Sequence, residues 1–170
     1  MHRQPSRFPL RCAAVTLAVL LSGALPAAGT GQGPAPDFTL KSHAGPNLRL
    51  SELRGTVVMI NFWASWCGPC RQEMPVLEEL YTRYQPLGFT VLGVNIEEDP
   101  GKARALIEEL QVSFPVLFDT ANEVSRLYQV AAMPSTVLVD RDGNMRYLHK
   151  GYQPGLEQQY QEQIRTLIKE

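Results

Sequence analysis

The sequence predicts an α/β fold in which a mixed sheet is covered by helices. Three observations carry this expectation. Near-continuous apolar runs rich in β-branched and aromatic residues read as buried strands. They alternate with segments whose apolar residues recur at helical spacing, which implies parallel strands joined by crossover helices. A late turn signature, Arg141-Asp142-Gly143-Asn144, joins two further strands as a hairpin and makes the sheet mixed. The chain has 170 residues, the size of one domain. Its composition is 44% hydrophobic and 19% charged, which excludes disordered and fibrous classes. A net charge of -1, with no basic stripe, implies no nucleic-acid partner.

Taken in order, the chain opens on a segment set apart from the rest. Residues 1–11 carry Arg3, Arg7 and Arg11 and no acid, and an apolar run follows from Cys12 to Leu25. Small residues close it, in Ala24-Leu25-Pro26-Ala27-Ala28-Gly29. A basic head, a short apolar middle and a small-residue exit make residues 1–28 a secretory signal peptide, or an anchor if uncleaved. The apolar run is about 14 residues where a membrane-spanning helix needs about 20, which favours the cleaved form. Cleavage fits after Ala24, Ala27 or Gly29. Losing residues 1–28 removes three arginines and no acids, leaving 13 basic against 17 acidic residues. It also removes Cys12, so that Cys67 and Cys70 are the remaining cysteines.

Residues 29–36 have linker composition, and the domain spans 37–170. Phe38-Thr39-Leu40 and Leu48-Arg49-Leu50 flank a turn at Gly45-Pro46-Asn47 and read as a small hairpin. Thr56 to Ala64 is the central strand. After Cys70, the residues Met74, Leu77, Leu80, Tyr81 and Tyr84 form one apolar helix face. Pro75 sits inside that helix, where it cannot donate a bond to residue 71 and is expected to kink it. Phe89 to Ile96 is a second buried strand. Asp99 as N-cap and Pro100 at the first helical position open a helix with Ala103, Leu106, Ile107 and Leu110 inward. Pro115 to Phe118 is a short strand, and Asp119 or Asn122 caps a short helix ending near Tyr128. Ser135 to Val139 and Met145 to Leu148 are the hairpin strands. The last helix points Leu156, Tyr160, Ile164, Leu167 and Ile168 inward.

The chemistry lies in Trp66-Cys67-Gly68-Pro69-Cys70, between the central strand and a helix start. Unpaired N–H groups and partial positive charge at a helix N-terminus favour a thiolate. A cysteine there titrates below the free value of about 8.5. Pro69 suits a first turn, which does not need its missing donor. A C-x-x-C loop is so short that closing it removes little chain entropy, so a bridge there is better suited to opening and closing than to bracing the fold. Cys67, at the exposed tip, is the expected nucleophile, and Cys70, one turn in and shielded, the resolving residue. Half a zinc site would need two more ligands, and the mature chain offers only His43 and His149. Both histidines are expected to face solvent. Glu97-Glu98-Asp99 reads as a solvated loop plus a cap, and Trp63 and Trp66 as part core, part rim of the site.

Phe62-Trp63-Ala64-Ser65-Trp66-Cys67-Gly68-Pro69-Cys70 resembles the active-site signature of the thioredoxin family. Met133-Pro134-Ser135-Thr136 resembles that family's loop with a cis proline facing the cysteines, and Pro75 matches its helix proline. The leader, the hairpin and the helix–strand insertion from Asp99 to Phe118 resemble the exported TlpA/ResA-like branch. The resemblance spans roughly Asp37 to Glu170. It implies a thioredoxin fold, a thiol–disulfide oxidoreductase without cofactor or metal, and support of the site by Trp66, Gly68, Pro69, Met133 and Pro134. Where cytosolic thioredoxin has a buried aspartate this chain has Asn61, which cannot titrate. In ResA-like proteins a glutamate three residues past the second cysteine is implicated instead, here Glu73, one helical turn beyond Cys70. The Thr-x-x-Cys of peroxiredoxins is absent, so Cys67 is not read as a peroxidatic cysteine.

The implied activity is reduction of protein disulfides, such as apocytochrome c cysteine pairs, outside the cytoplasm. A membrane thiol transporter is the implied electron donor. Two other readings stand beside it. One is a disulfide oxidase or isomerase, although no basic residue lies between the cysteines and no dimerisation segment is visible. The other is a copper-binding chaperone using the two thiolates with Met133 nearby, because copper(I) favours soft ligands.

Overall fold

A computed structural model describes Met1 and residues 33–170. The expected signal or anchor, its cleavage sites and Cys12 lie outside the described residues. In chain order the elements are β1 (Gly33–Pro34), β2 (Thr39–Ser42), β3 (Asn47–Arg49), β4 (Val57–Trp63), α1 (Gly68–Tyr84), β5 (Phe89–Asn95), α2 (Gly101–Glu109), β6 (Val116–Phe118), α3 (Glu123–Leu127), β7 (Ser135–Val139), β8 (Asn144–Lys150) and α4 (Leu156–Lys169). The strands form one sheet in the order β1-β8-β7-β4-β5-β6-β2-β3. β4, β5 and β6 are parallel, and the other pairings are antiparallel. This is the expected mixed α/β architecture, and the β2–β3 hairpin extends the sheet through β6.

Side chains of β4 alternate between two cores. Val57, Met59 and Trp63 join one cluster with α1, α2 and α4, while Val58, Ile60 and Phe62 join the other with Phe38, Leu50 and Val124. By the same two-residue period, Asn61 lies on the α1 side of β4. Its antiparallel partner on β7 is Thr136. The fold thus sets two polar side chains together beneath α1.

Local outcomes differ from expectation at several ends. Part of the stretch of linker composition is structured: Gly33 and Pro34 pair with Met145 and Asn144, and Ala35 is buried. α2 starts at Gly101 with Pro100 as N-cap, one residue later than expected. The Asp99 carboxylate accepts instead from the Gly101 N–H at 2.9 Å, closing a turn ahead of the helix. At α3 the N-cap position is Asn122, but Asp119 supplies the cap, accepting from the N–H groups of Val124 at 3.2 Å and Ser125 at 2.8 Å.

Close approach accounts for one glycine. A Cβ on Gly93 would lie 2.8 Å from the Phe114 ring and 3.3 Å from Trp63 Nε1. Both neighbours are buried, so Gly93→Ala is expected to destabilise the fold by about 2 kcal/mol, measured as a shift in urea midpoint.

Candidate active site

The site begins where β4 hands over to α1. Cys67 is the N-cap residue of α1, with φ -85° and ψ 108°, and its Sγ accepts the Cys70 N–H at 3.2 Å. Gly68 and Pro69 fill the first turn, where Pro69 leaves no intrahelical bond unmade. Cys67 and Cys70 are joined by a disulfide with their Cα atoms 5.3 Å apart. The helix start thus offers an N–H group and a dipole end to the Cys67 sulfur, the combination that favours negative charge there.

Cys67 is not the exposed tip that the sequence suggested. It is 5% exposed and Cys70 is 1% exposed, both within the cluster that contains Met74 and Leu77. The cap geometry turns the sulfur inward to reach its partner and the helix amide. The exposed positions are Trp66, at 69%, with Gly68 and Pro69. Trp63, by contrast, is wholly buried.

Glu73 shares the inner face of α1 with Cys70, Met74 and Leu77 and is fully buried. Its Oε1 accepts from the Tyr160 hydroxyl at 2.6 Å and from Thr136 Oγ1 at 3.2 Å, and its Oε2 accepts from Asn61 Nδ2 at 2.8 Å. Asn61 also donates to Thr136 Oγ1 at 2.9 Å. Burial pushes the Glu73 carboxyl above its ordinary range, and the bonds from Tyr160, Asn61 and Thr136 pull it partly back. Burial and the neighbouring Glu73 carboxyl hold the Tyr160 phenol strongly upward, so it remains a donor. A carboxyl one helical turn below Cys70, satisfied yet costly to ionise, is suited to taking up a proton.

The loop before β7 packs against the same cluster through Met133. The Met133–Pro134 peptide bond is cis, Pro134 is buried, and its carbonyl accepts the Gly151 N–H at 2.7 Å. Met133 is half-buried against the cluster containing both cysteines.

Several neighbours escaped sequence reasoning. Periodicity places Tyr160 in the core as an apolar residue, but its hydroxyl is the shortest contact of the Glu73 carboxylate. A lone acid on an apolar helix face is the signal that such a donor must exist. Glu97 is not part of a solvated loop: it is half-buried and accepts from the Ser65 N–H at 2.7 Å and the Ser65 hydroxyl at 2.8 Å. The histidines are also half-buried rather than solvent-facing. His149 bonds Gln163 at 2.8 Å and sets its ring edge-on to Tyr160, and His43 packs edge-on to Phe118 with its Nδ1 3.2 Å from Arg104.

Comparison with known proteins agrees with this geometry. The AhpC/TSA family profile matches residues 32–148. Thiol-disulfide oxidoreductase ResA of Geobacillus kaustophilus (strain HTA426) is 38% identical over 117 residues, 69% of this chain and 67% of the relative. ResA of Halalkalibacterium halodurans is 33% identical over 135 residues, 79% of this chain and 75% of the relative. A crystal structure from Chlorobium tepidum, described as a thiol:disulfide interchange protein DsbE, superposes with a TM-score of 0.77 at 37% identity, covering 79% of this chain and 95% of its own. A solution structure from Bacteroides thetaiotaomicron, described as a protein disulfide isomerase, gives 0.75 at 33% identity, covering 81% and 89%. The chain therefore belongs to the AhpC/TSA family, among its thioredoxin-fold thiol–disulfide oxidoreductases.

Proposed function

We propose that this protein is an extracytoplasmic reductant of protein disulfides. The Cys67-Gly68-Pro69-Cys70 turn carries this reading, with the Cys67 sulfur held as the N-cap of α1 over the Cys70 N–H. In the reduced protein the Cys67 thiolate attacks a client disulfide. One client sulfur leaves as a thiolate and takes a proton, and a mixed disulfide forms through Cys67. Cys70 then gives its proton to Glu73 and attacks Cys67. The bond between Cys67 and the client breaks, the second client sulfur leaves as a thiolate and takes a proton from solvent, and the internal bridge closes. Two electrons pass from the dithiol to the client, and a membrane thiol donor restores the dithiol.

Trp66, Gly68 and Pro69 form the surface that meets the client, and the Met133 backbone at the Pro134 turn pairs with an extended client segment. The basic, apolar and small-residue pattern of residues 1–28 supports export, with cleavage leaving the domain from residue 37 onward. Absence of a basic residue between the cysteines supports a reductant over an oxidant. Apocytochrome c cysteine pairs are the proposed clients, on the resemblance to ResA. The likeness to a structure described as a protein disulfide isomerase supports disulfide shuffling as the second reading.

Reduction of insulin disulfides with dithiothreitol as electron source tests the proposal. The protein is expected to accelerate the reaction well beyond dithiothreitol alone. Stoichiometric, tight copper(I) binding without such acceleration would overturn it in favour of a copper chaperone.

A further inference from the structure

The β4–β5 ladder ends where Trp63 pairs with Asn95. Beyond it the Ile96 N–H still reaches the Trp63 carbonyl, at 3.2 Å. The backbones then part, and Glu97 spans the gap with its side chain. One carboxylate takes both donors of Ser65, the N–H on Oε2 at 2.7 Å and the hydroxyl on Oε1 at 2.8 Å. Asn95 Nδ2 donates to the same Oε2 at 2.8 Å, and the Glu97 N–H returns to Asn95 Oδ1 at 3.2 Å. The carboxylate is thus held from its own strand before it grips the loop. Ser65 immediately precedes the exposed Trp66 and stands two residues before Cys67, whose N–H donates to the Ala64 carbonyl at 3.1 Å.

We infer that Glu97 is a positioning residue for the dithiol, latching the Ser65–Trp66 loop to the end of β5 so that Trp66 and the Cys67 sulfur keep the placement that client attack needs. The inference rests on the reductase reading. The latch acts through hydrogen bonds, not through its charge. A glutamine can reproduce every contact: its oxygen accepts from the Ser65 N–H and Asn95, and its amide donates to Ser65 Oγ, which can also accept. Alanine reproduces none. Glu97→Gln and Glu97→Ala therefore separate placement from field, and Ser65→Ala removes one bond while keeping the charge.

The full chain is assayed for insulin reduction with separate kcat and KM, beside Tm. Glu97→Ala is expected to lower kcat/KM about tenfold, mainly through kcat, because a misplaced attacking group loses rate steeply. Ser65→Ala is expected to lose about threefold, and the double variant to fall no lower than Glu97→Ala, since both changes break one contact. Glu97→Gln is expected to stay within about twofold of the parent. Alkylation of Cys67 in Cys70→Ser protein gives a readout that needs no client: Glu97→Ala is expected to slow it about threefold at pH 7, as the thiolate loses its place at the helix start. Loss of Tm in Glu97→Ala with unchanged kcat/KM and alkylation would overturn the latch and leave a structural contact. So would a Glu97→Gln variant as impaired as alanine, which would make the effect one of charge. A parent protein that reduces no disulfide overturns the reductase reading instead, and the alkylation series still decides the latch.

Discussion

Cys67→Ser is expected to abolish disulfide reduction, by at least about a thousandfold, because it removes the proposed attacking sulfur outright. Cys70→Ser should fail differently. The first attack survives in it, since the cap position of Cys67 depends on the Cys70 backbone N–H and not on its sulfur. The variant should accumulate a mixed disulfide with its client, visible as a covalent complex on a non-reducing gel that dithiothreitol releases. Cys67→Ser should give no such complex. The two cysteines differ in kind despite lying three residues apart: one caps α1, and the other faces inward from it beside Glu73.

Glu73 carries the second large effect. Glu73→Gln is expected to slow turnover about a hundredfold at neutral pH by removing the proposed proton acceptor of Cys70. Mixed disulfide should then build up in the variant itself. The same residue leaves a mark on stability. Its carboxyl is raised by burial above its ordinary value of 4.5, so the folded protein holds that proton more tightly than the unfolded chain. Folding stability from this group is complete below that value and is lost as pH rises through the folded titration. Urea unfolding across pH should show this decline in the parent and lack it in Glu73→Gln. Glu73→Ala should cost about 3 kcal/mol at low pH, where it opens a cavity and strands the Tyr160 hydroxyl, and less as pH rises through the folded titration.

The parts legible in sequence are those set by short-range pattern. The C-x-x-C at a strand–helix junction, the order of elements and the apolar face of α1 all follow from spacing within one or two turns. Glu73 is reached through the resemblance to ResA-like proteins and its position one turn beyond Cys70, but its partners are not legible in the sequence. Asn61 meets Thr136 through strand register across 75 residues, and Tyr160 arrives from α4, 87 residues away. Burial of Cys67 was hidden because it depends on the cap turning the sulfur inward, which residue type does not reveal. The burial of Glu97 is hidden from the sequence for a related reason: its contacts depend on the step at which two parallel strands diverge.

The reduction potential of the Cys67–Cys70 pair, measured by equilibration of protein lacking residues 1–28 with a dithiol buffer, tests the central claim most directly. A reductant predicts a value near thioredoxin's, about -270 mV. A value near -120 mV, roughly that of a strong disulfide donor, would contradict it.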